Sequence, residues 1–300
     1  MPRLLLILSA MLAALVSAAP ARAQQRTLHE ERSLYRNIVV TQTGDERCML
    51  FRARRGLGRE SCKYMSRPER FVFEYASLMF SSLYVNTAPR RALIIGLGGG
   101  TLPTALQEMS PETAIDVVEI DPAVERIAQI YFDYKPGPRT RTFIQDGRVF
   151  VKRAVTAGEK YDLVMLDAFE ADYIPEHMLT KEFLEEVKSI MTPNGVLVAN
   201  TFSASALYDH ESTTYQSVFG TFYNLKYSNR IILTRLGGLP SMDEVRANVP
   251  KWEAELRRRG ATPEFVLRIM TTNIDWDPAA RILTDQYSPS NVLNALPRGN

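Results

Sequence analysis

Three glycines at alternate positions are the first residues whose spacing could do chemistry. Gly96, Gly98 and Gly100 follow an apolar run, 92–95, and precede a helical pattern that begins at Thr101. Glycines in a strand-to-helix turn let the backbone approach a ligand closely, and the first helical turn offers free N–H groups. Because an ordinary tight turn also uses glycine, this pattern indicates a nucleotide site only together with other residues.

Two acidic residues at later strand ends complete the pattern of a nucleoside pocket. Glu119 ends the next apolar run, 23 residues after Gly96, and an acid near this spacing can accept both ribose hydroxyls. Asp146, followed by Gly147, ends another run and could accept the exocyclic amine of adenine. Pro103 follows the glycine turn in place of a phosphate-binding lysine, which argues against a nucleoside triphosphate. These residues together predict an adenosine pocket.

A further group of acids follows the apolar run 163–166. Asp167, Glu170 and Asp172, with Tyr173 directly after them, form a short stretch that we call the acidic segment, residues 167–173. Carboxylates at a strand end favour a cationic ligand such as an amine, because opposite charges stabilise one another at close range. We therefore expect the acidic segment to line the acceptor side of the site.

The elements that would position these residues alternate between strands and helices. Apolar runs lie at 92–95, 114–118, 142–144, 163–166 and 196–200, and helical patterns lie at 101–109, 122–131, 148–157 and 180–191. This alternation predicts βαβ units, a mostly parallel sheet covered on both faces, and thus a Rossmann-like α/β fold. Two later runs, 222–227 and 230–234, could close the sheet antiparallel.

The flanking regions complete the predicted domain organisation. Short apolar bursts around Gly44 predict a small β-hairpin region, and a helical pattern that opens at Pro68 follows it. The predicted segments are a signal peptide (1–23), an N-terminal β-hairpin region and linking helix (27–88), a Rossmann-like nucleoside-binding domain (89–235), and a C-terminal helical region and tail (236–300).

The first 23 residues are typical of a secretory signal peptide. Arg3 precedes the apolar run 4–16, and small residues lead to an A-x-A site that ends at Ala23. The run is shorter than the roughly 20 residues that a membrane span needs, although an uncleaved anchor stays open as the alternative. We expect an exported chain, periplasmic or secreted, that is cleaved after Ala23 and has no other membrane span.

Charge and cysteine content limit the expected partners. Arg3 and Arg22 account for the net charge of +2, so the rest of the chain carries 34 basic and 34 acidic residues. This balance argues against a nucleic-acid partner and favours a small molecule.

Cys48 and Cys62 could pair in an oxidising compartment or remain partly buried thiols. Two cysteines and three scattered histidines show no ligand spacing, so we expect no metal.

Four stretches around these residues resemble the spermidine synthase (polyamine aminopropyltransferase) family, most strongly its bacterial spermidine-synthase-like branch. They are LIIGLGGGTLPTAL (93–106), VVEIDPAVERIAQIYF (117–132), FIQDGRVFV (143–151) and residues 161–200. The resemblance covers roughly residues 31–235. It implies a small N-terminal β domain before a Rossmann-like, S-adenosylmethionine-dependent transferase fold, and a possible homodimer.

The resemblance also implies a reaction and residue roles. The family moves an aminopropyl group from decarboxylated S-adenosylmethionine to an amine such as putrescine. By resemblance Glu119 would hold the ribose, Asp146 and Gly147 the adenine, and Asp167 the donor side. Glu170 stands where the family has its catalytic Asp, with one methylene more.

Other positions would line the amine side or depart from the family pattern. Asp172 and Tyr173 share the acidic segment and could contact the amine. The family's pocket tyrosine aligns with Phe73, and Tyr75 lies two residues further on.

Two departures concern the donor. Gly99 replaces an Asp that binds the donor amine in the family, and Arg36 replaces a Gln. One carboxylate lost and one guanidinium gained would suit S-adenosylmethionine or another amino-acid-bearing ligand, unless Arg36 is a solvated surface cation. A methyltransferase and a non-catalytic exported nucleoside- or polyamine-binding protein therefore stay open beside aminopropyl transfer.

Overall fold

A small antiparallel sheet opens the part of the chain that the structure describes. The computed structural model describes residues 24–53, 56–168, 173–201 and 204–298. The strands of the first sheet pair in sequence order and are β1 (Arg26–Arg32), β2 (Asn37–Thr43), β3 (Glu46–Ala53) and β4 (Gly56–Tyr64). The predicted hairpin is therefore half of a four-stranded sheet. The sequence pattern missed β1 because that edge strand is polar and largely exposed.

The second sheet has eight strands and carries the predicted α/β architecture. Its members are β5 (Arg91–Ile95), β6 (Ala114–Glu119), β7 (Thr140–Ile144), β8 (Tyr161–Leu166), β9 (Met191–Thr201), β10 (Tyr223–Lys226), β11 (Arg230–Arg235) and β12 (Met270–Thr271). The spatial order is β12-β10-β11-β9-β8-β5-β6-β7. Strands β5 to β9 run parallel, and β11 pairs antiparallel with β9. The predicted Rossmann-like fold and its antiparallel closure are confirmed.

The helices pack around this sheet and follow it. Those between the strands are Thr101–Met109, Pro122–Tyr131, Gly147–Ala157, Lys181–Ser189 and Leu207–Phe219; the others are Glu74–Met79, Ser82–Val85, Met242–Asn248, Glu253–Arg258, Pro263–Ile269 and Ser290–Ala295. The predicted helical start at Pro68 is wrong, since Phe73 is still extended and the helix begins at Glu74. The C-terminal tail also contains a helix, Ser290–Ala295, that the sequence pattern did not indicate.

The main sheet is buried on both faces. Successive residues of β5 alternate between two apolar clusters, because side chains in a strand point to opposite faces. Ile94 belongs to one cluster, while Leu93 and Ile95 belong to the other. A parallel sheet covered in this way leaves its polar residues at the strand ends.

Polar contacts fix the first sheet over the carboxyl edge of the second. Arg47 donates to the carbonyl oxygen of Tyr131 over 2.9 Å, and Lys63 donates to that of Phe132 over 3.2 Å. The Ser33 hydroxyl donates to the carboxylate of Asp121, just after β6. These contacts place β2, β3 and β4 beside the strand ends that carry the predicted site.

A disulfide joins Cys48 on β3 to Cys62 on β4. The alternative of two free thiols is therefore wrong. Only one group of three potential metal-ligating side chains comes together within the described ranges, Glu46 with these two cysteines, and the disulfide removes both thiolates. No described helix is long and apolar enough to cross a membrane.

Candidate nucleoside and amine site

A cavity of about 1190 Å³ lies where the carboxyl ends of the parallel strands meet the first sheet. Ligands of open α/β sheets bind at this edge. The predicted site residues that line the cavity are Arg36, Tyr75, Gly96, Gly98, Glu119, Asp146, Gly147, Asp167 and Tyr173. Gly100 does not line it, and Glu170 and Asp172 lie outside the described residues. The volume exceeds the roughly 300–1,000 Å³ typical of one small ligand, so there is room for two substrates.

The glycine turn after β5 lies directly against the chain after β8. Gly96 has φ +101°, and a Cβ there would stand 2.1 Å from the carbonyl oxygen of Asp167. Only glycine fits this crossing, because the backbone atom it meets cannot move aside. Gly100 instead precedes the helix Thr101–Met109 and faces the ring of Tyr134, away from the cavity. Gly96 thus lets the ends of β5 and β8 come together, while Gly98 lines the cavity.

Glu119, at the end of β6, is held by two backbone N–H groups. Its Oε2 accepts from Leu97 over 3.1 Å, and its Oε1 accepts from Asp121 over 2.9 Å. Burial raises the pKa of this carboxyl group. Each carboxylate oxygen can accept a second hydrogen bond, so both oxygens remain able to receive a hydroxyl from the cavity. This arrangement suits a ribose.

Arg36 lies beside the same strand end. Its Nε is 3.7 Å from Asp121 Oδ2, its side chain is 20% exposed, and its guanidinium carbon lies 4.4 Å from the ring centre of Phe51. The alternative of a solvated surface cation is therefore wrong. The charge of Arg36 also lowers the pKa of Glu119 against the larger effect of burial, so Arg36 belongs to the Glu119 side of the cavity.

Asp146 combines a helix cap with a contact to a histidine. Its Oδ1 accepts from the backbone N–H of Val149 over 2.9 Å and so caps the helix Gly147–Ala157. Its Oδ2 lies 2.9 Å from His177 Nε2. The hydrogen bond from His177 lowers the pKa of Asp146, so the carboxylate stays charged and able to accept. The sequence showed His177 only as a lone histidine far along the chain.

Asp167, directly after β8, is a half-buried carboxylate with neutral partners. Tyr75 donates to its Oδ2 over 3.1 Å, and Asn200 donates to its Oδ1 over 2.9 Å. Burial raises the pKa of Asp167. In the described part of the chain no Lys, Arg or His forms an ion pair with this group. A negative charge enclosed without a cation is unfavourable by itself and favours a cationic ligand.

The supporting residues of Asp167 come from three separate elements. Asn200 is the penultimate residue of β9, and Asn229, in the turn between β10 and β11, donates to Asn200 Oδ1 over 2.9 Å. Tyr75 lies on the helix Glu74–Met79, and burial together with the charge of Asp167 raises its pKa well above the usual value. Tyr75 therefore stays protonated and can only donate to the carboxylate. No sequence motif marked the two asparagines.

Gly99 has no room for the acid that the family carries at its position. A Cβ on Gly99 would stand 2.6 Å from Ser61 Oγ and 3.0 Å from Cδ1 of Phe132. Ser61 belongs to β4 and lines the cavity. Strand β4 therefore fills the space into which a side chain at position 99 would extend.

Comparison with known proteins gives a consistent assignment. Residues 73–235 match the family model of the spermine/spermidine synthase domain. A polyamine aminopropyltransferase of Vibrio vulnificus (strain CMCP6) is 46% identical over 275 residues, which cover 90% of this chain and 92% of that protein. A human eEF1A lysine and N-terminal methyltransferase is 35% identical over 121 residues, 37% of this chain and 17% of that protein.

A solved structure supports the fold. The crystal structure of a probable spermidine synthase from Corynebacterium glutamicum ATCC 13032 superposes with a TM-score of 0.63 at 19% identity, covering 74% of this chain and 86% of that one. At this identity the likeness concerns the fold alone. The matched domain and the extended identity to the Vibrio protein together define the assignment: the chain belongs to the spermine/spermidine synthase family.

Proposed function

We propose that this chain is a polyamine aminopropyltransferase that moves an aminopropyl group from decarboxylated S-adenosylmethionine to an amine such as putrescine. Family membership and the 46% identity to a polyamine aminopropyltransferase support the reaction class. The observation that carries the proposal is Asp167, a carboxylate facing the cavity with two neutral hydrogen-bond donors and a raised pKa. It offers a binding site for the cationic end of a substrate.

The nucleoside half of the donor would lie against β6 and β7. Glu119 would accept the two ribose hydroxyls, and Asp146 would accept the adenine amine. The two acids are fixed by backbone N–H groups before any ligand arrives. A rigid nucleoside pocket holds the sulfonium at one place relative to Asp167, which is what a displacement reaction requires.

The chemical step is a nucleophilic displacement. The lone pair of the acceptor nitrogen attacks the aminopropyl carbon bonded to sulfur, the carbon–sulfur bond breaks, and its electron pair stays on sulfur in methylthioadenosine. The acceptor nitrogen first gives one proton to a base, which frees this lone pair, and the product nitrogen carries the positive charge that the sulfonium loses. Glu170 is our proposed base on the strength of the family resemblance, with Asp172 and Tyr173 beside the amine. Asp167 holds and orients the ammonium groups of the substrates.

Two residues bear on the identity of the donor, and they point in opposite directions. Gly99 removes the acid that would bind the donor amine, and Ser61 occupies that space. Arg36, however, is engaged with Asp121 on the ribose side, which argues against a role in binding a donor carboxylate. The likeness to a polyamine aminopropyltransferase supports the decarboxylated donor, which we propose, with S-adenosylmethionine as the alternative.

Product analysis tests this proposal. The purified protein is incubated with putrescine and either donor, and all products are identified by mass spectrometry. Aminopropyl-putrescine with methylthioadenosine supports the proposal. Methylated amine with S-adenosylhomocysteine would instead indicate the methyltransferase alternative, which the partial likeness to the human methyltransferase keeps open. Retained nucleoside binding without any product would indicate a non-catalytic binding protein.

We also propose that the chain acts after export, in the periplasm or outside the cell. The residue pattern of 1–23 supports a cleaved signal peptide, and the disulfide between Cys48 and Cys62 supports an oxidising compartment. N-terminal sequencing of the protein from fractionated cells should find Gln24 as the first residue. A chain that begins at Met1 in the cytosolic fraction would overturn this proposal.

A further inference from the structure

We propose that residues 288–298, which we call the C-terminal segment, form the wall of the acceptor side of the cavity, and that Asn291 positions this wall. The inference rests on the proposed function, since it assigns the acceptor amine to that wall. Residues 294–297 line the cavity directly. Residues 294 and 295 end the short helix Ser290–Ala295, and residues 296 and 297 follow it. The placement of that helix therefore decides the shape of the wall.

The side chain of Asn291 pairs with the backbone of Ile174. The Ile174 N–H donates to Asn291 Oδ1 over 2.9 Å, and Asn291 Nδ2 donates to the Ile174 carbonyl oxygen over 3.0 Å. Ile174 is fully buried, while its neighbours Tyr173 and Pro175 line the cavity. The carboxamide thereby fixes the part of the chain that presents Tyr173 and Pro175 to a ligand.

A carboxylate ties the beginning of the same segment to the same loop. Glu176 Oε1 accepts from the backbone N–H of Asn291 over 3.0 Å and from its Nδ2 over 3.1 Å. Ser288 donates to the carbonyl oxygen of Glu176 over 3.0 Å. Asn291 therefore makes four polar contacts with residues 174 and 176.

The end of the C-terminal segment is held on the other side of the cavity. The Ala206 N–H donates to the carbonyl oxygen of Leu296 over 3.0 Å, and Ser205 forms a bridge with Pro297. Arg298 donates to Asp209 Oδ1 over 2.8 Å. The C-terminal segment thus connects the chain after β8 with the chain after β9.

An unsatisfied hydroxyl marks this wall as a contact for ligand. Ser205 is 6% exposed and lines the cavity, and its Oγ has no hydrogen-bond partner among the described residues. A buried hydroxyl without a partner is unfavourable, and a rotation about χ1 that turns the Oγ towards the cavity would let a polar ligand atom satisfy it. The hydroxyl lies next to the point where Pro297 joins the wall.

The strand order assigns the wall to the acceptor rather than to the nucleoside. The nucleoside residues Glu119 and Asp146 follow β6 and β7, on one side of β5 in the sheet. The C-terminal segment contacts the chains after β8 and β9, on the other side of β5. Asp167 lies between the two regions. His177, next to Glu176, also contacts Asp146, so disturbing the segment should weaken amine binding more than nucleoside binding.

The test compares Asn291→Ala with Asn86→Ala. Asn86 also makes two backbone contacts with its carboxamide, to the Asp162 carbonyl oxygen over 3.3 Å and from the Ala88 N–H over 3.2 Å, but at the amino edge of the sheet. Calorimetry measures the Kd of methylthioadenosine, then the Kd of putrescine for the nucleoside-saturated protein, and assays give kcat and KM. Asn291→Ala should raise the putrescine Kd and KM about tenfold, equivalent to losing one or two hydrogen bonds. The nucleoside Kd should rise clearly less than the putrescine Kd, and Asn86→Ala should leave both constants unchanged.

Two results would overturn the inference: a putrescine Kd that is unchanged in Asn291→Ala, or a nucleoside Kd that weakens as much as the putrescine Kd. If Asn291→Ala does not fold, Ser205→Ala replaces it, and an unchanged putrescine Kd in that variant counts equally against the inference. If the wild type shows no turnover but Asn291→Ala still weakens putrescine binding, the proposed function is contradicted and this inference is supported. A wild-type protein that binds nucleoside but no putrescine overturns the inference.

Discussion

Tyr75 and Asp167 are joined by a 3.1 Å hydrogen bond across the cavity, from the hydroxyl to Oδ2. Tyr75 comes from the helix that follows the first sheet, and Asp167 comes from the end of β8 in the second sheet. The contact therefore connects the helix Glu74–Met79 with the carboxyl end of β8 at the site. It also stabilises the charged form of Asp167 against the burial that raises the pKa of this group.

Replacing Tyr75 with Phe should shift the acid side of the pH profile. Only the charged form of Asp167 attracts an ammonium group, so kcat/KM for the amine falls as the pH drops through the raised pKa of Asp167. Without the Tyr75 hydroxyl the charged form loses a hydrogen bond, and this acid limb should move to higher pH. Tyr223→Phe is the control, because its hydroxyl donates to Pro240, away from the cavity. An acid limb that stays in place in Tyr75→Phe would argue against this role.

Gly99→Asp should destabilise the protein without improving donor binding. The new Cβ would meet Ser61 Oγ at 2.6 Å and the Phe132 ring at 3.0 Å, and such overpacking costs about 1–3 kcal/mol. Adding Ser61→Gly removes one of the two contacts, so the double variant should recover part of the free energy of unfolding. Urea unfolding and calorimetry with the decarboxylated donor measure both effects. Tighter donor binding by the stable single variant would show that the space is larger than the structure indicates.

Asp146→Asn should separate nucleoside binding from helix capping. Asn can still accept the Val149 N–H at the cap, but it loses the charge that we propose accepts the adenine amine. We expect the nucleoside Kd to rise about tenfold or more, since hydrogen bonds to charged groups contribute about 1.5–3 kcal/mol, with little change in thermal stability. Ser241→Ala removes the cap of Met242–Asn248 and should show the reverse, about 1 kcal/mol of lost stability with an unchanged nucleoside Kd. Equal nucleoside affinity in both variants would remove Asp146 from the site.

Removing the disulfide should weaken the first sheet. Cys48 and Cys62 close a loop with a sequence separation of 14, and a bond of this kind contributes about 3 kcal/mol to the free energy of unfolding. A Cys48→Ala, Cys62→Ala double variant should therefore unfold at lower urea concentration than the oxidised protein. Reductant should lower the stability of the wild type and leave that of the double variant unchanged. Equal stability with and without reductant would contradict the expected contribution.

The fold could be predicted from the sequence where periodicity is strong. The apolar parallel strands and the helices between them, such as Thr101–Met109, stood out because a sheet buried on both faces needs continuous apolar runs. The edge strand β1 was missed because it is almost wholly polar, and the helix Ser290–Ala295 because six residues are too few to show a helical period. Helix propensity alone could not place the start at Glu74.

The site could be predicted only in part for a similar reason. Glu119, Asp146 and Asp167 follow apolar strands, and the carboxyl ends of parallel strands meet at one edge of the sheet. Asn200, His177 and the C-terminal segment reach the same cavity from distant parts of the chain, through contacts that no local pattern encodes. The roles of Glu170 and Asp172 stay predictions, because both lie outside the described residues.

The most direct measurement compares methylthioadenosine release by the wild type, Asp167→Asn and Asp162→Asn with putrescine and decarboxylated S-adenosylmethionine. Asp162 lies at the opposite end of β8, where it accepts from the backbone of Arg90 and Arg91. We expect release by the wild type, a fall of about 100-fold or more in Asp167→Asn, and little change in Asp162→Asn. Asp167→Asn should still bind methylthioadenosine. Undiminished release by Asp167→Asn, or no release by a wild type that binds the nucleoside, would contradict the proposed role of Asp167 in aminopropyl transfer.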